Sequence, residues 1–157
     1  MDKKFSKLPL RKGVGVALLN NNNQVFVAKR IDNPNDFWQM PQGGINKDEN
    51  SFNAAIRELK EETSIIKVEL IKEIQEEITY NLPKNLLGII WKGKFKGQTQ
   101  KWYIMRFLGT DNEINLKTKN PEFLEWKWID IENITEKVVD FKAHVYEKIK
   151  EELKKLI

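Results

Sequence analysis

The stretch from residue 43 to 65, GGINKDENSFNAAIRELKEETSI, is dense in carboxylates. Glu58, Glu61 and Glu62 are spaced at i, i+3 and i+4, so a helix would present them on one side. Like charges at these spacings destabilise a helix by roughly a few tenths of a kcal/mol per pair. We interpret the cluster either as a solvated helix face or as the site of a positively charged ligand.

A hard cation is the ligand that such a cluster would take. The chain contains no cysteine and a single histidine, His144, far along the sequence. Disulfides and thiolate metal sites are therefore excluded, and carboxylate oxygens suit Mg²⁺ first and Mn²⁺ second. Mg²⁺ leaves several coordination positions to water and substrate phosphates. Arg57 is placed beside Glu58 to hold its carboxylate by a bidentate contact.

The charge of the chain is distributed unevenly. The net charge is +4, whereas residues 43–65 contain five acidic and three basic side chains, a net of −2, which leaves +6 for the other residues. An acidic centre in a basic protein suggests a cation site that meets an anionic partner. A Lys-rich surface that only aids solubility is the alternative.

Length and composition predict a single folded domain over residues 1–157. Forty per cent of the residues are hydrophobic, including eight Phe and five Trp, which is typical of a globular protein with a real core. No apolar run approaches the roughly 18 residues of a membrane span. The N-terminal MDKKFSKLPLRKG lacks the apolar stretch of a secretory signal, and the absence of cysteine fits a reducing compartment. We expect a cytoplasmic protein without a membrane partner.

Hydrophobic patterning predicts the elements that position the carboxylates. Val14–Leu19 and Val25–Ala28 predict a β-hairpin, and residues 31–50, rich in Asn, Asp, Pro and Gly, predict a long loop. A helix is predicted from about Phe52 to Thr63. Its apolar face would consist of Phe52, Ala55, Ile56 and Leu59.

The second half of the chain predicts further strands and a closing helix. The strand candidates are Val68–Thr79, Leu86–Phe95, Trp102–Leu108 and Phe123–Ile129, with the turns LPKN and KGQTQK between them. A Lys-rich helix is predicted from about Phe141, with an apolar stripe formed by Phe141, Val145, Ile149 and Leu153. This succession predicts an α/β sandwich with the acidic helix on one side of a mixed sheet.

The order of residues around the carboxylates closely resembles the Nudix box, G-x5-E-x7-R-E-U-x-E-E-x-G-U, in which U is aliphatic. The matching residues are Gly43, Glu49 and the run from Arg57 to Ile65. Ser64 departs from the pattern, because the family has Gly there. That residue ends the helix in a left-handed conformation, so Ser costs about 1–2 kcal/mol there. The departure concerns local stability more than metal binding.

The resemblance implies a fold, a reaction and a set of roles. Nudix proteins are α/β/α sandwiches whose catalytic helix follows a long loop, and they cleave a nucleoside diphosphate linked to a group X, using Mg²⁺ or Mn²⁺ and an attacking water. By position, Glu58, Glu61 and Glu62 would hold the metal, with Glu58 as the first choice for the base. Glu49 would support Arg57 and the loop. Metal ions neutralise the polyphosphate and lower the pKa of bound water.

Outside the box, nearly the full chain from Arg11 to the last helix is similar to the bacterial RNA pyrophosphohydrolase subgroup. The similar segments are FWQMPQGGIN, YNLPKNL, GQTQKWY, NPEFLEWKW and VVDFKAHVY. Members of this subgroup convert 5′-triphosphate RNA ends to 5′-monophosphate, which promotes mRNA decay. The subgroup overlaps with dinucleoside polyphosphate hydrolases.

This similarity implies site residues beyond the box, each with an ordinary alternative. Glu122 would bind metal, or it is a salt-bridged carboxylate at a strand end. Phosphate contacts would come from Arg11, Arg30, Lys101 and Tyr80, or these are surface charges and a half-buried tyrosine. Phe141 with Lys142 would stack and contact a base, or Phe141 belongs to the stripe of the last helix. Core or site-wall positions are expected for Trp38, Trp102, Trp126 and Trp128.

Three functions remain open at this point. The leading one is an RNA 5′ pyrophosphohydrolase, which the basic remainder of the chain favours. The second is hydrolysis of diadenosine tetra- or pentaphosphate. The third is a non-catalytic RNA-binding module, against which the retained Arg57, Glu58, Glu61 and Glu62 argue. We expect no DNA partner, and the sequence identifies no protein partner.

Overall fold

The structure, a computed structural model, describes residues 5–157 and arranges them as a mixed sheet with a long helix on each face. The first four residues of the charged N-terminal segment lie outside this range. The strands are β1 Leu10–Leu19, β2 Val25–Arg30, β3 Gln42–Gly44, β4 Val68–Glu73, β5 Ile78–Asn81, β6 Gly97–Phe107 and β7 Phe123–Ile129. The helices are α1 Ser51–Thr63 and α2 Ala143–Lys155.

The sheet is built around a parallel pair of long strands. Its order is β4-β6-β1-β2-β7, with β3 paired to β1 and β5 paired to β6. β1 and β6 run parallel over the full length of β1, from Leu10↔Gly97 to Leu19↔Arg106. The other pairings are antiparallel. The result confirms the predicted α/β class and the predicted hairpin between the first two strands.

Alternation along the strands separates two cores, one under each helix. On one face, Val14, Val16 and Leu18 of β1 pack with residues of α1 such as Leu59. On the other face, Ala17 and Leu19 pack with residues of α2, which are Val145, Tyr146, Ile149 and Leu153. We call these the α1 face and the α2 face. No helix in the described part of the chain is long and apolar enough to cross a membrane.

Local signals set the two ends of α1. The side chain of Asn50 caps the N-terminus by accepting a hydrogen bond of 2.8 Å from the Asn53 amide. At the other end Ser64 adopts φ 67° and ψ 7°, and its amide bonds the Lys60 carbonyl. The predicted left-handed conformation at Ser64 is therefore confirmed. Ala54, Ala55 and Leu59 are buried, as a helix packed on a sheet requires.

The faces of α1 differ from the prediction in two respects. Phe52 is 37% exposed and forms a T-shaped ring pair with Tyr103, so it lies at the margin of the core. Glu62, predicted on the polar side, is 2% exposed. The helix is therefore buried over a wider arc than its apolar residues span, and one carboxylate is enclosed.

Four predictions about strands and turns were wrong or incomplete. Leu86–Phe95 is a loop with a 3₁₀ turn at Ile90–Gly93, because Gly88, Trp91, Lys92 and Gly93 have positive φ and interrupt the alternation. The GQTQK segment is the start of β6, not a turn. The long loop over residues 31–50 contains β3, and residues 68–79 divide between β4 and β5.

The last helix also begins later than predicted. Phe141 lies in a 3₁₀ turn, Asp140–Lys142, that precedes α2. Val145, Ile149 and Leu153 are buried as expected. Phe141 therefore precedes the helical stripe, although its partly buried ring packs against the same core.

The left-handed Ser64 yields a stability prediction. Ser64→Gly should raise the free energy of unfolding by about 1 kcal/mol, because glycine adopts this conformation without a Cβ penalty. Loss of the exposed 2.8 Å hydrogen bond from Ser64 Oγ to the Asn115 carbonyl offsets part of the gain. Ser64→Ala keeps the penalty and loses the bond, so it should be less stable than the parent. Urea unfolding measures both, and a Ser64→Gly protein below the parent would contradict this account.

Candidate active site

A cavity of about 560 Å³ opens on the α2 face, and we call it the main cavity. Strands, α1 and two loops all contribute to its walls. The charged and polar lining includes Arg11, Arg30, Glu58, Tyr80, Gln98, Glu122 and Lys142. The apolar lining includes Phe37, Trp38, Leu86, Ile90, Trp91, Val138 and Phe141.

Arg57 ties α1 to the loop before it. Its Nε and Nη2 donate to the two carboxylate oxygens of Glu49 at 2.9 and 3.0 Å, and Nη2 also donates to the Gly44 carbonyl at 2.8 Å. Its Nη1 donates to Glu58 Oε1 at 2.9 Å and to Glu61 Oε2 at 3.1 Å. These bonds hold the pKa of the Glu49 carboxyl below its ordinary value and raise that of the guanidinium. Arg57 therefore fixes three of the four box carboxylates.

The glycine of the box makes room for one of these carboxylates. A Cβ added at Gly43 would lie 2.0 Å from Cδ of Glu58, which no side chain could tolerate without displacement. Gly43 pairs with Val14 of β1, so its backbone cannot move aside freely. The loop, β3 and α1 thus bring the Glu58 side chain against the main cavity.

Glu62 carries the unsatisfied carboxylate of the site. Its carboxylate is buried, and neither oxygen has a hydrogen-bond partner among residues 5–157. Burial, followed by the neighbouring charges of Glu122 and Glu58, raises the pKa of Glu62 well above its ordinary value. Burial also raises the pKa of Glu58, although the Arg57 contact opposes this. Buried polar groups without partners are rare, so this carboxylate requires an explanation.

A divalent cation fits this donor set. Within residues 5–157 no three carboxylate or imidazole groups converge as a preformed metal cage, since Glu58 and Glu61 bond to Arg57. Even so, an enclosed carboxylate without a donor, beside two other carboxylates, is the environment in which added positive charge is most favourable. Oxygen-only ligands select a hard cation.

The cationic side chains around the main cavity differ in whether they are paired with a carboxylate. Arg30 donates two bonds to Asp32, at 2.8 and 2.9 Å, and its Nη1 lies 3.9 Å from Glu122 Oε2. Burial, together with the charges of Arg30 and Arg11, lowers the pKa of the Lys142 ammonium to about 8. Lys142 has no ion pair among the described residues, so its charge is available to an anion.

Lys101 is not brought into the main cavity. Its Nζ lies 3.2 Å from Glu73 Oε1 and donates to the Gln75 carbonyl at 3.0 Å. It lines a smaller pocket of about 280 Å³ with Lys12 and Glu77. Alternation along β6 is the reason, because Gln98 and Gln100 point to the α2 face while Lys101 points to the α1 face. The geometry does not support the predicted phosphate contact.

The predicted aromatic residues divide between cavity and core. Phe141 lines the main cavity, with its ring centroid 5.7 Å from that of Tyr80. Trp38 also lines the main cavity, and Lys127 Nζ lies 4.1 Å from its ring centroid. Trp102 is fully buried in the core. On the α1 face, Trp126 stacks on Phe26 and Trp128 contacts Phe26 edge to face.

Tyr80 and Gln98 form a buried pair in the wall. Tyr80 Oη donates to Gln98 Oε1 at 2.8 Å, and burial raises the pKa of the phenol. Gln98 is 1% exposed, and its Nε2 has no hydrogen-bond partner within residues 5–157. Because the Tyr80 hydroxyl donates to Gln98 Oε1, the Nε2 amide of Gln98 remains as a donor without a partner within residues 5–157. The sequence did not single out Gln98, because its segment was predicted as a turn.

Sequence comparisons identify the family. The family model described as NUDIX domain matches residues 9–149. The chain therefore belongs to the Nudix family of hydrolases, which act on phosphoanhydride bonds and generally need divalent metal ions. It is 68% identical over 150 residues to an RNA pyrophosphohydrolase of Pelagibacter ubique, covering 96% of this chain and 95% of that protein. It is 46% identical over 147 residues to an RNA pyrophosphohydrolase of Dinoroseobacter shibae, covering 92% of each.

Structural comparisons confirm the fold. An E. coli dihydroneopterin triphosphate pyrophosphohydrolase superposes with a TM-score of 0.71 at 23% identity, covering 93% of this chain and 99% of that chain. A C. elegans Ap4A hydrolase superposes with a TM-score of 0.65 at 19% identity, covering 91% and 98%. At these identities the likeness shows the fold alone, and it confirms the Nudix-type sandwich.

The buried Glu62 yields a prediction about metal removal. Because folding raises its pKa, its contribution to stability is fully present below the ordinary pKa of 4.5 and is lost as the pH rises through the folded-state value. In EDTA, Glu62→Gln should therefore gain stability relative to the parent as the pH increases from about 5 to 8. Thermal unfolding at several pH values measures this gain.

The same two proteins should then be compared with a divalent cation present. Mg²⁺ or Mn²⁺ should raise the unfolding temperature of the parent and raise that of Glu62→Gln much less, since the variant lacks the charge that the cation neutralises. Parallel pH profiles in EDTA, or equal cation effects on the two proteins, would contradict the assignment of Glu62.

Proposed function

We propose that residues 1–157 form a single-domain, metal-dependent RNA 5′ pyrophosphohydrolase, which converts 5′-triphosphate RNA ends to 5′-monophosphate. The observation that carries the proposal is the main cavity itself. Its lining includes the carboxylates of Glu58 and Glu122, beside which Glu62 is buried, and the cations Arg11 and Lys142, which have no ion pair among residues 5–157. The relatives named RNA pyrophosphohydrolase, matched over nearly the whole chain, support the same substrate.

The metal would be held by the box carboxylates. We assign Glu58, Glu61 and Glu62 to it, with Glu122 as the ligand outside the box, and we expect Mg²⁺ first and Mn²⁺ second. When bound, the metal neutralises the polyphosphate and lowers the pKa of a water. Glu61 accepts a bond from Arg57 and is more exposed than Glu58, so its side chain would turn toward the metal on loading.

The substrate phosphates would be held by the cations of the main cavity. Arg11 and Lys142 supply charge that is not paired with a carboxylate among residues 5–157, and Gln98 supplies a buried amide donor. Arg30 would bind the same row of phosphates, with its guanidinium donating hydrogen bonds both to Asp32 and to the substrate. Charge-assisted hydrogen bonds of this kind are roughly twice as strong as neutral ones.

Hydrolysis requires a base, and Glu58 is our assignment. A water oxygen attacks phosphorus, the phosphoanhydride bond breaks, and the leaving phosphate takes the bonding electrons. The water proton passes to a Glu58 carboxylate oxygen. Burial raises the pKa of Glu58 toward the range in which a carboxylate is an effective proton acceptor. Arg57 keeps the side chain oriented by its 2.9 Å bond to Glu58 Oε1.

The 5′-terminal nucleotide would lie against the aromatic wall. Phe141 and Trp38 line the main cavity, and an aromatic ring can stack with any of the four bases. The net charge of +6 outside residues 43–65 would attract the rest of the transcript. Such a substrate is found in the cytoplasm, where we place the protein.

The proposal is tested by hydrolysis, with Mg²⁺, of a short 5′-triphosphate RNA and of diadenosine tetraphosphate at equal concentration. We expect faster conversion of the RNA to its 5′-monophosphate form. Faster cleavage of the dinucleotide would move the function to nucleotide hydrolysis, since both substrates present the same polyphosphate to the main cavity. Glu58→Gln is the control for the assigned chemistry and should reduce kcat by about 10²–10⁴-fold on either substrate.

Absence of hydrolysis for both substrates would leave the third possibility, a non-catalytic RNA-binding module. That outcome requires the protein to bind the RNA in the presence of Mg²⁺ while kcat stays at the level of Glu58→Gln.

A further inference from the structure

Arg11 is the one arginine of the main cavity whose guanidinium has no hydrogen bond or ion pair within residues 5–157. Arg30, by contrast, is bonded to Asp32 at 2.8 and 2.9 Å. A long side chain without a polar partner has several rotamers, and each unproductive rotamer lowers its affinity for phosphate. Something other than an acid must therefore hold Arg11 for it to bind phosphate well.

Trp91 provides that contact. Arg11 Cζ lies 5.1 Å from the centroid of the Trp91 ring, within the distance at which a guanidinium is attracted to an aromatic face. Gly44 of β3 confines the group further, because a Cβ added there would lie 2.4 Å from Arg11 Nη2. A guanidinium that stacks on a ring keeps its N–H donors free for an anion.

The backbone at and after Trp91 has an unusual left-handed conformation, which determines the direction of the Trp91 ring. Trp91 has φ 52°, Lys92 has φ 58° and Gly93 has φ 71°, so three consecutive residues are left-handed. Non-glycine residues adopt this conformation at a cost, and such strain is retained mainly at functional sites. The ring is also held from behind, because it packs against the core of the α2 face and lies 6.1 Å, centroid to centroid, from the Phe95 ring.

The loop that carries Trp91 is anchored at both ends and across its middle. The Leu82 amide donates to the Lys96 carbonyl at 2.8 Å, and Leu82 and Leu87 are buried. A Cβ added at Gly93 would lie 2.9 Å from the Gly88 carbonyl oxygen, so the loop closes tightly on itself. The ring of Trp91 is therefore presented by a fixed segment.

We propose that Trp91 is a positioning residue for polyphosphate binding, which acts by holding the Arg11 guanidinium with its N–H donors toward the substrate. The inference rests on the proposed function, since it takes Arg11 as a phosphate ligand. It adds a residue that contacts no phosphate and that the sequence did not single out. Its segment was predicted as a strand, in which the ring would have been an ordinary packing group.

The test compares two substitutions of the same residue. Trp91→Phe keeps an aromatic face, whereas Trp91→Leu keeps apolar bulk and removes the face. Trp91→Leu should raise KM for 5′-triphosphate RNA by about five- to tenfold while kcat changes less than about twofold. Trp91→Phe should stay within about threefold of the parent. Lys92→Ala, which changes an exposed neighbour on the same loop and keeps the Trp91 ring, is the control and should change KM by less than about twofold.

A double-mutant cycle separates positioning from other roles. The measured quantity is the affinity for inorganic tripolyphosphate and for a 5′-triphosphate dinucleotide, in a Glu58→Gln background that prevents turnover. Trp91→Leu should weaken both probes equally, and it should add less than about twofold in the presence of Arg11→Ala. Unfolding temperatures of all variants establish that they are folded.

The outcomes are distinct. An equal effect of Trp91→Leu with and without Arg11→Ala would overturn the inference. Weaker binding of the dinucleotide but not of tripolyphosphate would also overturn it and would make Trp91 a nucleobase platform. If the parent does not hydrolyse RNA ends but tripolyphosphate binding still depends on Trp91 through Arg11, the proposed function fails and the positioning role stands.

Discussion

The site depends on one unfavourable arrangement, the enclosed carboxylate of Glu62. An ionised carboxylate without hydrogen bonds is costly in a protein interior, and the group responds by raising its pKa. The surrounding structure maintains this situation. Leu59 and the two buried alanines anchor α1 against the sheet, while Arg57 engages the neighbouring carboxylates and leaves Glu62 alone. The protein thereby keeps a strongly cation-binding position next to an anion-binding wall.

The sheet explains how the two walls come together. The parallel pairing of β1 and β6 places Arg11 opposite Gln98, and β3 adds its glycines at the same end of β1. These glycines leave space for the Glu58 and Arg11 side chains, which a Cβ would displace. The positions of the acidic and basic side chains therefore depend first on the strand register and on the absence of a Cβ at Gly43 and Gly44. Side-chain rotamers come second.

The resemblance to the Nudix box pointed to Glu49, Arg57, Glu58, Glu61 and Glu62, and the structure brings Glu49, Glu58 and Glu61 to the Arg57 guanidinium. The roles of these residues in metal binding stay a prediction. The sequence also predicted the left-handed Ser64, since helix ends have a local signature. What it could not predict was the enclosure of Glu62, which depends on how closely α1 approaches the sheet.

The basic and aromatic half was predicted less well, for reasons of register and backbone. Lys101 and Gln98 are three residues apart in β6 and point to opposite faces of the sheet. Because GQTQK was predicted as a turn, neither the place of Gln98 in the main cavity nor that of Lys101 in the smaller pocket was predicted. The position of Trp91 at the main cavity was not predicted, because its apolar neighbours suggest a strand. Positive φ angles make this segment a loop instead. Strand pairing between segments that are distant in the sequence determines these positions, and local sequence patterns do not predict such pairing.

We assign Glu62 and its neighbours to a divalent cation, and Arg11 and Lys142 of the adjoining main cavity to the substrate phosphates. The most direct measurement is a crystal structure with Mn²⁺ and a 5′-triphosphate dinucleotide bound to the Glu58→Gln protein, with the anomalous signal locating the metal. The account predicts a peak about 2.1–2.3 Å from Glu62 oxygens and triphosphate oxygens within hydrogen-bond distance of the Arg11 guanidinium. A metal away from Glu62, or phosphates outside the main cavity, would contradict it.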